Sequence, residues 1–283
     1  MMNLPITKPV SSHFGSKQFG WGERTYIMGI VNVTPDSFSG DGLGANPEAA
    51  LEQARRFAKE GADILDIGGE STRPNCPPVS TEEELGRVIP AIRLIVRNLD
   101  IPISIDTYRR EVAEEALKAG ACIVNDVWGL QKDPSLFELA AKSRAGWVIT
   151  SNQREHPVED IMKAVTCELK STALKLLELG VPAQNIIIDP GVGFGKTLEQ
   201  NLEIVRRLSE LKTLNLPVLL GTSRKSLIGQ VLDTPPNERL EGTAATVALG
   251  IGGGVDIVRV HDVARMRRVC QMSDAVIRGK IWK

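Results

Sequence analysis

Several groups of residues in this sequence have the types and spacing to do chemistry. Arg259 and His261 alternate along one short apolar run, Ser223, Arg224, Lys225 and Ser226 follow another, and Ser71, Thr72, Arg73 and Pro74 follow a third. Clustered cations with hydroxyl donors suit a phosphate or diphosphate, which takes charge-assisted and bidentate hydrogen bonds. Surface ion pairs are the plainer use of such residues, but three runs contributing together favour an anion site. Asp106 and Asp189 each close a mostly apolar run, and Asn125 holds the equivalent place on another. A carboxylate there is costly unless it is paired or bound. Two carboxylates, an amide and a lysine in one pocket suit a flat heterocycle that offers amidine-like donors and a carbonyl acceptor.

These residues are far apart in sequence, so the elements that carry them must bring them together. Apolar runs at 27–33, 64–67, 103–105, 123–124, 147–149, 186–188, 218–220 and 257–260 each end in charged, hydroxyl or amide residues. They read as continuous Val/Ile/Leu strands, the pattern of a parallel sheet covered on its faces by helices. Helical patterns fall between and after them at 47–60, 81–99, 109–119, 134–143, 158–179, 198–212, 238–250 and 263–277. Asn46, Ser80 with Glu83, and Asp133 are helix-start signals, and Gly61, Gly120 and Gly180 lie where helices end. The expectation is α/β, a single TIM (β/α)8 barrel, in which all eight strand ends meet at one catalytic mouth. An open doubly-wound sheet would want a glycine fingerprint after its first strand, and none is present. Stretches 34–46, 71–80 and 226–237 read as loops at the mouth, the first as a mobile lid.

The 283 residues fit one such barrel, and a net charge of −1 carries no footprint for nucleic acid or a membrane surface. No apolar run approaches a membrane span, and residues 1–23 are polar without a signal-peptide core. They read as an extension, partly disordered, ahead of a barrel over 24–283. Cys76, Cys122, Cys167 and Cys270 lack paired spacing, so free thiols and a cytoplasmic location are expected. The run from Gly191 to Thr197 looks like a phosphate loop, but Pro190 stands where glycine is required. Its amides remain available to an anion. His13 and His156 read as solvated, and three histidines without metal spacing argue against catalytic zinc.

Taken in order, MGIVNVTPDSFSGDG from Met28, GADILDIGGESTRP from Gly61, ISIDTYR from Ile103, IVNDVWG from Ile123, IIIDPGVGFGKT from Ile186, LLGTSRKSLIG from Leu219, RLEGTAAT from Arg239 and VRVHDV from Val258 resemble the dihydropteroate synthase family. The resemblance runs from about Tyr26 to Gly279. It implies a transferase of folate biosynthesis that condenses 6-hydroxymethyl-7,8-dihydropterin diphosphate with p-aminobenzoate and releases diphosphate. It implies a pterin held by residues matching Asp106, Asn125, Asp189 and Lys225. Diphosphate is then held at Asn32, Thr72, Arg73, Arg259 and His261, with Mg²⁺ at Asn32 near Asp106. The aminobenzoate, with which sulfonamides compete, falls to Phe38, Pro74, Lys225 and Ser226. Asp106, Lys225 and Arg259 carry the catalysis, and the family is usually homodimeric, with the C-terminal helices as the expected interface. One departure stands out. The family commonly has Met-His-Asn or Met-His-Met at the end of its fifth strand, and here Thr150-Ser151-Asn152 removes polarizable bulk from one side of the ring pocket. In the first loop, Gly40-Asp41 stands where Asp-Gly is commoner. Rival readings are a pterin-binding methyltransferase-like barrel, which would not need the diphosphate cations, and a catalytically silent pterin-binding protein.

Overall fold

The structure is a computed structural model and describes residues 6–7, 9–34, 42–44, 46–71, 78–155 and 158–282. Eight parallel strands form the ring: β3 (Tyr26–Asn32), β4 (Ile64–Gly68), β5 (Ile103–Asp106), β6 (Ile123–Asp126), β7 (Gly146–Thr150), β8 (Ile186–Asp189), β9 (Leu219–Leu220) and β10 (Ile257–Val260). The last strand pairs with the first, Ile257 opposite Tyr26, and with β9. The remaining seam, between β8 and β9, closes on the bridge Ile188–Val218. The barrel expected from the sequence is therefore present.

The helices α1 (Pro47–Glu60), α2 (Thr81–Asn98), α3 (Arg110–Ala119), α4 (Leu136–Lys142), α5 (Ile161–Glu178), α6 (Leu198–Arg206), α7 (Ser226–Leu232), α8 (Leu240–Gly252) and α9 (Val263–Ile277) surround it. Asn46 Oδ1 accepts from the Glu48 and Ala49 amides and so starts α1, and Ser80 Oγ accepts from Glu83 to start α2. Gly61 ends α1 at φ 97°, a conformation that leaves no room for a Cβ's usual contacts. Two expectations need correction. The run 198–212 is not one helix: α6 stops at Arg206 and a 3-10 helix (Leu208–Leu214) follows. The stretch 226–237, read as a loop, opens with α7, because Lys225 in extended conformation lets the apolar Leu227 and Ile228 pack inward on a helical turn.

The described residues of the segment 1–23 include regular structure. Within them, β1 (Ser11–Phe14) and β2 (Lys17–Gly20) form an antiparallel hairpin. Its Phe14 and Phe19, with Trp21 and Tyr26, join the barrel-interior cluster of Met28, Ile64, Ile123, Val148, Ile187, Leu219 and Ile257. Phe19 sits 4.9 Å from the Tyr26 ring and 5.4 Å from the Phe14 ring. A Cβ on Gly146 would lie 2.4 Å from the Phe14 ring, so only glycine admits that ring at the start of β7. The hairpin plugs the end of the barrel from which the strands begin. A second, larger cluster lies between sheet and helices.

Candidate active site

Alternation along the strands builds the site. Ile64, Ile123, Val148, Ile187, Leu219 and Ile257 all point into the barrel. Two residues further on, the same inward face carries Asp66, Asn125, Thr150, Asp189, Gly221 and Arg259. An apolar floor is thus followed by a polar ring, and Asp106 joins it from β5, opposite Gly68 and Asn125 in register.

Arg259 is the centre of that ring. Its Nε donates to Asp66 Oδ2 and its Nη2 to Asp106 Oδ2, each at 2.6 Å. Asn125 Nδ2 donates to the same Asp66 oxygen at 3.0 Å. Burial alone would lower the Arg259 guanidinium, but Asp66 and Asp106 outweigh it and hold it well above its ordinary value. One cation serves two carboxylates. Burial pushes the Asp106 carboxyl up to about 7, Arg259 pulling it down and Asp66 adding to the rise. Asp66 Oδ1 and Asp106 Oδ1 are buried and have no hydrogen-bond partner among the described residues.

Beside this trio lie Asp189 and Lys225. A Cβ on Gly221 would meet Arg259 Cβ at 3.8 Å and Asp189 Oδ2 and Lys225 Nζ at 3.9 Å, so glycine there leaves three functional groups converging on one small space. Asp189 Oδ1 accepts from the Gly191 amide at 2.7 Å. Burial raises the Asp189 carboxyl against the pull of Lys225, and burial lowers the Lys225 ammonium to about 8 against the pull of Asp189. Lys225 donates to the Val192 carbonyl and lies 4.4 Å from the centre of the Phe194 ring. Arg154 covers the same ring at 4.9 Å and Trp128 at 5.5 Å, so aromatic faces and cations rim the opening.

The residues foreseen for this site divide. Asp106, Asn125, Asp189, Lys225 and Arg259 are brought together. Asn32 is half-buried at the end of β3, opposite Gly68 in register. Ser226 is exposed as the first residue of α7. His261 Nδ1 lies 2.9 Å from Ser223 Oγ and borders a cavity of about 360 Å³ shared with Gln53, Arg56, Arg224 and Asp262. Phe38, Thr72, Arg73 and Pro74 lie outside the described residues, as does His156. His13 is exposed.

Some readings change. Arg224, grouped with the anion-binding cations, adopts φ 57° and forms a bidentate pair with Asp262 at 2.7 and 3.0 Å. The glycine loop after β8 does not offer its first amides to an anion. Gly191 donates to Asp189, Gly193 to Asn201 Oδ1 and Phe194 to the Gly191 carbonyl. Lys196 binds this loop to the end of β7 through the carbonyls of Ser151, Gly191 and Phe194. Ser151 does not face the ring pocket. Its hydroxyl donates to Glu168 Oε2 on α5 at 2.5 Å, where Gln153 and Gln131 also donate to the carboxylate. Only Thr150 of the unusual pair points inward. Asp66 was missed because it sits inside an apolar run; an acid flanked by Leu65 and Ile67 needs a buried partner, and that was the available signal.

The ends of the second mouth loop are anchored firmly. Arg109 binds Glu70 at 2.6 Å, Glu84, and the Val79 carbonyl at 2.7 Å, while Arg87 donates to the Gly69 carbonyl. No group of three or more His, Cys, Asp or Glu side chains fit to hold a metal occurs among the described residues.

Comparison with known proteins agrees with this geometry. The sequence profile of the family described as pterin binding enzyme matches residues 28–261. The chain is 48% identical to the dihydropteroate synthase of Clostridium beijerinckii, covering 93% of this chain and 98% of that one. It is 47% identical to that of Bacillus subtilis, covering 94% and 93%. A crystal structure of a Clostridium difficile dihydropteroate synthase in the presence of pteroic acid superposes with a TM-score of 0.88 at 53% identity, covering 92% of this chain and 99% of that one. A Xanthomonas albilineans dihydropteroate synthase with 4-aminobenzoic acid gives 0.88 at 38% identity, covering 95% and 98%. With its barrel, its polar ring and these relatives, the chain belongs to the dihydropteroate synthase family of pterin-binding enzymes.

Proposed function

We propose that the protein joins 6-hydroxymethyl-7,8-dihydropterin diphosphate to p-aminobenzoate, giving 7,8-dihydropteroate and diphosphate. The observation that carries this reading is the polar ring, where buried carboxylates converge with Arg259 and Lys225 above an apolar floor. Asp189 accepts N–H groups from the pterin edge, Asn125 pairs with the same ring, and Lys225 donates to its carbonyl oxygen. Asp106 fixes Arg259 through Oδ2 and keeps Oδ1 without a partner among the described residues. Arg259, His261 and Asn32, with Thr72 and Arg73 from the second loop, take the diphosphate. Phe38, Pro74, Lys225 and Ser226 form the aminobenzoate end, where a sulfonamide competes.

In the reaction the C–O bond to diphosphate breaks and its electron pair leaves with the oxygen. The electron-rich ring stabilises the methylene that remains. The aryl amine forms the new C–N bond and releases its proton to solvent. No covalent bond to the protein is required, so positioning and fixed charge carry the rate.

Mg²⁺ fits the donor set. Asn32, half-buried at the mouth end of β3, offers one hard oxygen donor, with β4 between it and Asp106. Mg²⁺ usually takes few protein ligands and completes its shell with water and substrate phosphate oxygens. When bound, it would neutralise charge on the departing diphosphate.

A homodimer is supported by Leu249 on α8 and Met272, Val276 and Ile277 on α9, all large apolar residues exposed on helices that pack together. Among the described residues no helix is long and apolar enough to cross a membrane, and Cys122, Cys167 and Cys270 are unpaired, which fits the cytoplasm.

The test is diphosphate release from dihydropterin diphosphate with Mg²⁺, with and without p-aminobenzoate. Release that depends on the amine and yields dihydropteroate is expected. Tight pterin binding without release would instead favour a silent pterin-binding protein.

A further inference from the structure

Thr150 occupies a position in the polar ring that the assigned roles leave unused. It follows the inward-facing Val148 by two residues, and its register partner is Asp189. Its side chain therefore shares the inner face with the Asp189 carboxylate, on the neighbouring strand about 5 Å away. Thr150 is 1% exposed, and its Oγ1 is buried without a hydrogen-bond partner among the described residues. Among the described residues, Asp66 Oδ1 and Asp106 Oδ1 in the same ring share that condition, as does Ser104 Oγ beside Asp66 in register. Unpartnered buried hydroxyls are uncommon, and each costs free energy unless an occupant of the pocket satisfies it. The backbone around Thr150 is fixed. A Cβ on Gly129 would fall 2.5 Å from the Thr150 carbonyl and one on Gly191 would fall 1.8 Å from the Ser151 carbonyl, so two loops press on this strand end. Lys196 clamps the second of them.

We propose that Thr150 is a specificity-determining residue whose hydroxyl hydrogen-bonds the pterin heterocycle on the edge that Asp189 reads. The proposal rests on the assignment of this ring as the pterin site. It adds one directional polar contact to the ring where the family more often places an apolar methionine. A site that bonds a ring heteroatom also rejects analogues lacking it more strongly than an apolar wall can.

The experiment measures pterin binding by calorimetry, the KM and kcat for pterin diphosphate, and the melting temperature of the unliganded protein, for the parent, Thr150→Val and Thr150→Ser. Valine keeps the shape and removes the hydroxyl; serine keeps the hydroxyl. A neutral hydrogen bond corresponds to roughly a 3- to 10-fold loss of affinity. Thr150→Val is expected to raise the pterin Kd and KM by that factor with kcat unchanged, Thr150→Ser to stay within about 2-fold of the parent. The unliganded Thr150→Val protein is expected to melt at the parent's temperature or above, because it sheds an unsatisfied hydroxyl. Unchanged pterin affinity in Thr150→Val overturns the proposal while leaving the pterin site standing. Equal loss in both variants, with lower melting temperatures, overturns it in favour of packing. A parent that binds no pterin overturns the site assignment itself.

Discussion

Arg259 serves two carboxylates with one positive charge, and both are buried. Removing one member of such a cluster leaves uncompensated charge, typically a loss of about 3–5 kcal/mol. Arg259→Ala is therefore expected to lower the melting temperature and weaken bare pterin as well as diphosphate binding. Adding Asp66→Asn to Arg259→Ala should recover part of the stability without recovering diphosphate affinity, as thermal melts and calorimetry of the two variants would read. Recovery of neither would mean that Asp66 does not depend on Arg259. Lys225 gives a dependence on pH. Its ammonium, lowered to about 8 by burial against the pull of Asp189, is charged below that pH and neutral above it. Pterin affinity should fall as pH rises through about 8 in the parent, and Lys225→Met should bind weakly with no such fall. Stability of the unliganded protein moves the other way. An unfolded lysine keeps its proton up to its ordinary value of 10.5, so the folded state holds fewer protons between the two values and gains stability as pH rises from about 8. At this scale Asp106 and Asp189 were legible because each closes a mostly apolar run, and Lys225 because it stands in a short basic stretch that follows one. The sequence concealed Asp66 and the inward turn of Thr150, because burial inside a strand is visible only once the alternation is anchored by neighbours. Arg224 misled for a related reason: a cation's sequence position does not report a left-handed backbone that aims it at Asp262.

Elements were more legible than side chains. Apolar runs separated by capped helices announced eight β/α units, and α1 and α9 have the expected limits. What escaped was short or mixed in character. α7 has seven residues, and the β1–β2 hairpin carries its apolar groups singly among polar ones. Only contact with the barrel interior reveals that Phe14, Phe19 and Trp21 form a plug. Phe19→Ala in this hairpin should cost about 3–5 kcal/mol, the usual loss for a fully buried aromatic. Chemical denaturation would measure it, and a loss below about 1 kcal/mol would mean that the hairpin is an ornament to the barrel.

The whole molecule presents two opposite surfaces to its surroundings. One end of the barrel is plugged and the other carries the polar ring, while Leu249, Met272, Val276 and Ile277 leave an apolar flank on α8 and α9. Light scattering should find a dimer for the parent and a monomer for Met272→Glu combined with Val276→Glu. A double variant that remains dimeric would move the interface elsewhere.

The seam that joins the first barrel strand to the last has a further consequence in time. The Thr25 amide and hydroxyl bind Asp274 at 2.7 and 2.8 Å across 249 residues of sequence, and Trp282 donates to the same carboxylate. During synthesis the plug-forming hairpin leaves the ribosome well ahead of β10 and α9, which close the ring and bind Thr25. Such long-range pairing slows folding, and the nascent chain carries exposed Phe14, Phe19 and Trp21 throughout the delay. Trp282, 4.9 Å from the Arg24 guanidinium, is placed to report by its fluorescence the moment of this late ring closure once Trp21, Trp128 and Trp147 are replaced by phenylalanine.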